Sequence, residues 1–209
     1  MRMEAYEQDT REPHRRSLLG ARVTPAILLL VVGLIAVFRL WIVETAYVEG
    51  RSMLDTLQPG DRVLVLKMMK PKRFDIVLVQ AAKRGGVDIK RIVGMPGDAI
   101  SMVPHTRTLG PFYARFVYGG QVYIDGIPYD ESYATGMAPS SVPPLKLLEN
   151  QYFVLGDNRD ESTDSRRYGP VSAEDIRGVA VAVVYPFDRI GWLGQNVQVT
   201  PTTTASIPH

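Results

Sequence analysis

Val87-Asp88-Ile89-Lys90-Arg91-Ile92-Val93, closed by Gly94-Met95-Pro96-Gly97-Asp98, is the stretch from which the fold can be read. Its Val and Ile content fits a strand, and Pro-Gly ends it with a turn. Strand alternation puts Val87, Ile89, Arg91 and Val93 on one face and Asp88, Lys90 and Ile92 on the other. Either Lys90 or Arg91 is then expected on the more buried side. Similar apolar runs lie to either side: Val63 to Leu66, Ile76 to Val79, Gln121 to Ile124, Tyr152 to Leu155 and Val179 to Tyr185. Asp125-Gly126, between Val122-Tyr123-Ile124 and Ile127-Pro128-Tyr129, signals a tight hairpin, because type I′ turns need positive φ at both central positions. Residues 104–150 are less regular and rich in proline, which reads as an insert to the main sheet. The tail from 195 to 209 is rich in Thr and Pro and is expected to be flexible. The fold class is therefore mainly β, an antiparallel domain over residues 47–194.

Ahead of that domain, Ala26 to Phe38 contains no polar residue, and Leu40-Trp41-Ile42-Val43 continues the run after Arg39. With its flanks this approaches the ~20 apolar residues a membrane-crossing helix needs, so a transmembrane anchor is expected over residues 25–46. Arg39 is placed to snorkel, and Trp41 and Tyr47 suit an interfacial belt. Arg11, Arg15, Arg16 and Arg22 oppose only Glu12 upstream, which points to a cytoplasmic segment 1–24 and an extracytoplasmic domain. The basic start also resembles a cleaved signal peptide, but the apolar run is long for one and no small-x-small site follows.

Composition removes several function classes. The 209 residues carry 24 basic and 22 acidic side chains, a formal charge of +2, too slight for the concentrated basic surface that nucleic acid requires. There is no cysteine, so thiol nucleophiles, thiolate zinc sites and disulfides are excluded. The three histidines, His14, His105 and His209, make a Ser-His-Asp triad hard to assemble. The basic cluster Lys67, Lys70, Lys72 and Arg73 reads as a solvated turn, with lipid headgroups as the alternative partner.

Three patches could carry chemistry. Gly50-Arg51-Ser52-Met53 can present a serine on a tight loop with backbone N–H groups exposed, as a developing oxyanion requires, although most serines after glycine are simply turn residues. Lys90, if buried, would lose affinity for its proton and could serve a serine as general base, a part arginine cannot take. The run Gly156-Asp157-Asn158-Arg159-Asp160-Glu161-Ser162-Thr163-Asp164-Ser165-Arg166 offers oxygen ligands for calcium, but the interleaved arginines argue against a cation cage and for an internally ion-paired loop that braces a site.

In this order the patches resemble the boxes of the bacterial type I signal peptidase family. Ser52-Met53 with Thr56-Leu57, Gly60-Asp61 with its apolar strand, Lys90 to Asp98, and Gly156 to Arg166 each match, over roughly residues 25–193. The resemblance implies a membrane-bound serine endopeptidase that removes signal peptides from exported preproteins after Ala-x-Ala-like motifs. It implies Ser52 as nucleophile, Lys90 as base, Ser162 orienting the Lys90 amine, and an oxyanion hole at the Ser52 N–H and near Gly50. Asp157, Asp164 and Arg166 would support the loop. No cofactor or metal is implied; the partners are membrane lipid, preproteins and, transiently, the translocation machinery. Asp55 stands where the family usually has proline, Glu161 where asparagine is common, and Gly50 where many members have serine. The alternatives are another Ser–Lys peptidase, such as a pilin-processing enzyme, and a catalytically silent membrane-tethered module that binds peptides.

Overall fold

The structure is a computed structural model that describes residues 25–80, 85–108, 115–136, 140–194 and 199–201. The chain divides into two compact units, Met1–Val37 and Phe38–His209. The expected cytoplasmic segment 1–24 lies outside the described residues. Helix α1, Pro25–Trp41, begins at a proline, whose fixed φ suits a first helical turn. It is apolar all round apart from Arg39, and Ile27, Leu28, Leu29, Leu30, Leu34 and Ile35 are exposed. At 17 residues it is short, and among the described residues no helix is long and apolar enough to cross a membrane.

In the second unit the strands run β1 (Val43–Tyr47), β2 (Arg62–Leu66), β3 (Ile76–Gln80), β4 (Val87–Gly94), β5 (Ala99–Thr108), β6 (Arg115–Ile124), β7 (Ile127–Glu131) and β8 (Val142–Lys146). There follow β9 (Gln151–Leu155), the single-turn helix α2 (Ser165–Tyr168), β10 (Val171–Ser172), β11 (Ile176–Tyr185), β12 (Gly191–Trp192) and β13 (Val199–Pro201). One sheet has the order β1-β2-β11-β3-β4-β9-β10, with β12 also on β11; the other has the order β13-β7-β6-β5-β8, and every pairing is antiparallel.

Three features differ from the sequence expectations. The helix stops at Trp41, and Val43–Tyr47, which overlaps the last four residues of the expected anchor, is a strand whose five residues pair with Leu66–Arg62. The insert begins at Ala99 rather than 104 and forms a regular sheet of its own. Its β6–β7 hairpin does turn at Asp125 and Gly126, both with positive φ (51° and 80°). In the tail, Val199–Pro201 pairs with Tyr129–Glu131, whereas residues 195–198 and 202–209 lie outside the described residues.

Three buried clusters hold the unit together. Val48, Met53, Leu57, Val63, Val65, Leu78 and Ile89 pack on one side of the first sheet, and Val77, Val79, Ile92, Val154 and Val179 on the other. Val93, Phe153 and Leu155 of the first sheet join Ile100, Met102, Val122 and Ile124 of the second. Strand β4 is thus covered on both faces, and Lys90 and Arg91 are both buried, at 3% and 1% exposure. The either-or reading of alternation does not hold, because it presumes one wet face.

Candidate active site

Ser52 sits in the turn between β1 and β2. Hydrogen bonds from Val48 N to Asp61 O (2.9 Å) and Gly60 N to Val48 O (2.9 Å) close the base of the turn, and Asp61 Oδ2 accepts from Gln58 N. Met53 and Leu57 are driven into the core, which leaves Ser52 half-buried at its margin. Lys90 reaches the same point from β4: its Nζ lies 2.9 Å from Ser52 Oγ and 3.1 Å from Ile89 O. Both residues line a groove of about 690 Å³ whose apolar wall includes Val48, Met53, Leu78 and Ile89. Burial disfavours the charged form of an amine, and a hydroxyl within hydrogen-bond distance of a base is poised for nucleophilic attack.

Two edges of the first sheet flank this groove. β1 is an end strand, and the pairing of β4 with β9 begins at Arg91. Residues of both segments line the groove. Gly50 is exposed, with nothing within 4 Å of where a Cβ would stand, and the Ser52 N–H has no backbone acceptor among the described residues.

The loop after β9 closes the site from behind. Gly156 is the contact point: a Cβ there would collide with Ser162 Oγ and with the Ser52 carbonyl. Its N–H donates to Asp164 Oδ2 (3.0 Å), and Asn158 N donates to Ser52 O (3.0 Å). Asp164 is gripped by Arg166 through Nε and Nη2, both at 2.8 Å. Burial alone would raise the Asp164 pKa, but the Arg166 bond and charge, the Gly156 N–H and Ser162 outweigh it and hold the carboxyl below its ordinary value. Ser162 is buried; its Oγ lies close enough to Asp164 to favour the carboxylate, yet makes no hydrogen bond of regular geometry, to Lys90 included. Asp157 is fully buried and bidentate with Arg91 (2.8 and 2.6 Å), and also accepts from Thr56 Oγ1 (2.6 Å).

The expected residues Ser52, Lys90, Ser162, Asp157, Asp164 and Arg166 thus converge. Gly50 lines the groove with Ser52. Sequence reasoning missed Glu131 and Tyr133 as site neighbours, and read Arg159 only as part of the ion-paired loop that braces the site. Arg159 donates to Gly156 O (3.1 Å) and Glu131 Oε1 (2.8 Å), and Tyr133 lies against the Arg91 guanidinium, 4.1 Å from it to the ring centroid. Glu131 is tied to the site by Arg159, 28 residues away in sequence, and Tyr133 by Arg91, farther still. Among the described residues there is no group of three or more histidines, aspartates or glutamates able to hold a metal.

A serine hydroxyl beside a buried amine, in a groove bordered by two strands, is an arrangement compatible with a serine hydrolase. The model of the signal peptidase family, peptidase S26, matches residues 21–185, and the chain belongs to that family. It is 33% identical over 168 residues to signal peptidase I of Leptolyngbya laminosa, covering 75% of each chain. It is 31% identical over 190 residues to probable signal peptidase I-2 of Synechocystis, covering 86% of this chain and 78% of the relative. Against signal peptidase I of Bacillus licheniformis the identity is 32% over 180 residues, covering 79% and 88%. The chain is accordingly a serine peptidase, a hydrolase.

Proposed function

We propose that Ser52 and Lys90 are the catalytic pair with which this peptidase removes N-terminal signal peptides from exported preproteins. The observation that carries this is the 2.9 Å approach of a buried Lys90 Nζ to Ser52 Oγ. Lys90, neutral because its site is dry, takes the Ser52 proton as Oγ attacks the scissile carbonyl, and returns it to the leaving amine. A water activated by the same amine then releases the acyl chain. The Ser52 N–H, with the open space beside Gly50, receives the oxyanion. Ser162 is the residue that the family resemblance implies would orient the Lys90 amine; it is buried against Gly156 next to the Ser52 carbonyl, without a hydrogen bond to Lys90.

The substrate lies extended between β1 and the start of β4, adding its own backbone to the sheet while alternate side chains enter the groove. Small residues at the first and third positions before the cut suit that wall. Helix α1 is the anchor, with residues 1–24 cytoplasmic and the β domain outside. Its uniform apolarity and exposure support this: such a helix is stable only when buried, in protein or in lipid. Seventeen residues rise about 25 Å, at the lower limit for a bilayer core. Only ten residues, 42–51, separate its end from Ser52, so the site works near a membrane that also holds the signal peptide.

The test is cleavage of a preprotein by the detergent-solubilised chain. One cut after Ala-x-Ala is expected from wild type and none from Ser52→Ala or Lys90→Ala; cleavage by either variant overturns the pair.

A further inference from the structure

We propose that Glu131 and Tyr133, on the strap that follows β7 on the way to β8 of the same sheet, are positioning residues for the Ser52–Lys90 pair. The proposal rests on that pair being catalytic. The chain leaves β7 at Glu131, and residues 131–136 cross directly behind the site. The Glu131 side chain is 6% exposed and its Oε1 accepts from Arg159 Nη2 at 2.8 Å and from the Tyr133 hydroxyl. Arg159 Nε in turn donates to Gly156 O, so Gly156 is held at its carbonyl through Glu131 and at its N–H by Asp164. That residue is the surface against which Ser162 Oγ and the Ser52 carbonyl are packed.

The neighbouring peptide is clamped from the same strap. Tyr133 covers Arg91, which is bidentate to Asp157 and directly follows Lys90 in β4. Thr135 N donates to Asp157 O and Thr135 O accepts from Arg159 N, both at 2.8 Å, while Thr135 Oγ1 donates to Leu54 O in the nucleophile turn (3.3 Å). One six-residue strap therefore touches the turn that carries Ser52, the arginine beside Lys90 and the loop that carries Ser162. A buried ion pair placed only for stability needs no such convergence. Buried pairs are often replaceable by apolar residues, whereas a charge-assisted bond fixes geometry. Glu131 fixes where Arg159, and through it Gly156, can stand.

The experiment compares full-length, detergent-solubilised wild type, Glu131→Gln, Tyr133→Phe and Ile124→Ala on one preprotein, with kcat, KM, pH profile and thermal midpoint for each. Ile124 is buried in the second-sheet core and serves as the control for destabilisation alone. Glu131→Gln is expected to lower kcat about tenfold or more with KM nearly unchanged, since small misplacements at a reacting pair are costly. It should also move the rise of activity to higher pH, because a loosened site hydrates Lys90 and favours its charged form. Tyr133→Phe should do the same to a smaller degree at an unchanged midpoint, and it decides the matter if Glu131→Gln does not fold. Ile124→Ala should lower the midpoint and leave kcat and the pH profile alone. Strap variants whose pH profile stays with wild type, and whose kcat falls no further than in Ile124→Ala, overturn the proposal. An active Ser52→Ala protein would instead overturn the catalytic pair, and the strap's role with it.

Discussion

Lys90 is buried with its Nζ 2.9 Å from Ser52 Oγ, and the residues around it fix that placement. On the proposed Ser52–Lys90 pair, Lys90→Arg keeps the length and loses the base, since a guanidinium does not give up its proton; signal-peptide cleavage should fall to the level of Ser52→Ala at any pH from neutral to alkaline. Gly156→Ala is the smallest change with the largest expected effect. Its methyl would occupy the space of Ser162 Oγ and the Ser52 carbonyl, so turnover should drop about a hundredfold or more while the protein stays folded by circular dichroism. A Gly156→Ala enzyme with wild-type kcat would show that this contact does not set the geometry. Asp164 makes a prediction in pH. Its folded pKa lies below the ordinary 3.8, so its ionised form stabilises the fold fully above that value, and the stabilisation is lost as pH falls through the folded pKa. The stability difference between wild type and Asp164→Asn, followed by urea unfolding, should be constant from neutral pH down to mildly acid conditions and shrink below 3.8. A difference that grows on acidification would reverse the sign of the linkage.

Strand β4 explains how much of this was legible. Its composition announced a strand, and Ser52, Lys90 and the loop from Gly156 to Arg166 could be singled out because each combined a chemical group with a turn or strand that displays it. Alternation then misled at Lys90 and Arg91, because a central strand covered on both faces has no wet side to assign, and a buried Arg91 is acceptable only with Asp157, 66 residues away. β1 was hidden for a different reason. It follows the apolar helix with no polar break, and Glu44-Thr45-Ala46-Tyr47 becomes a strand only by pairing with β2. In the second sheet the β6–β7 hairpin was legible from Asp125-Gly126, whereas the β5–β8 and β13–β7 pairings join residues far apart in sequence that local composition does not encode. For the same reason nothing marked Glu131 or Tyr133 before their partners were visible. The Arg91–Asp157 pair yields a stability prediction at this scale. Asp157→Ala strands a buried guanidinium and should cost about 3–5 kcal/mol in urea unfolding, whereas Arg91→Met with Asp157→Leu should recover much of that loss. A double variant no more stable than Asp157→Ala would mean the pair cannot be replaced by packing.

Across the whole chain, an apolar helix and a β unit with its own cores are joined in one polypeptide, and they make separable demands. Three buried clusters, each lying within Phe38–His209, give that unit a core independent of residues 1–37. A chain lacking residues 1–37 should therefore fold with a thermal midpoint close to that of the full protein and cut a short soluble peptide at a similar kcat. Its loss should appear only against a preprotein embedded in vesicles. Anchoring enzyme and substrate in one bilayer replaces a three-dimensional search by a local one, and effective concentrations set by tethering commonly contribute ~10²–10⁴-fold. The shortened chain should also leave the membrane pellet, where the full chain stays after an alkaline wash. If the shortened chain instead processed embedded preproteins as fast as the full one, helix α1 would contribute nothing to capture, and the β unit itself would have to find the membrane-held substrate.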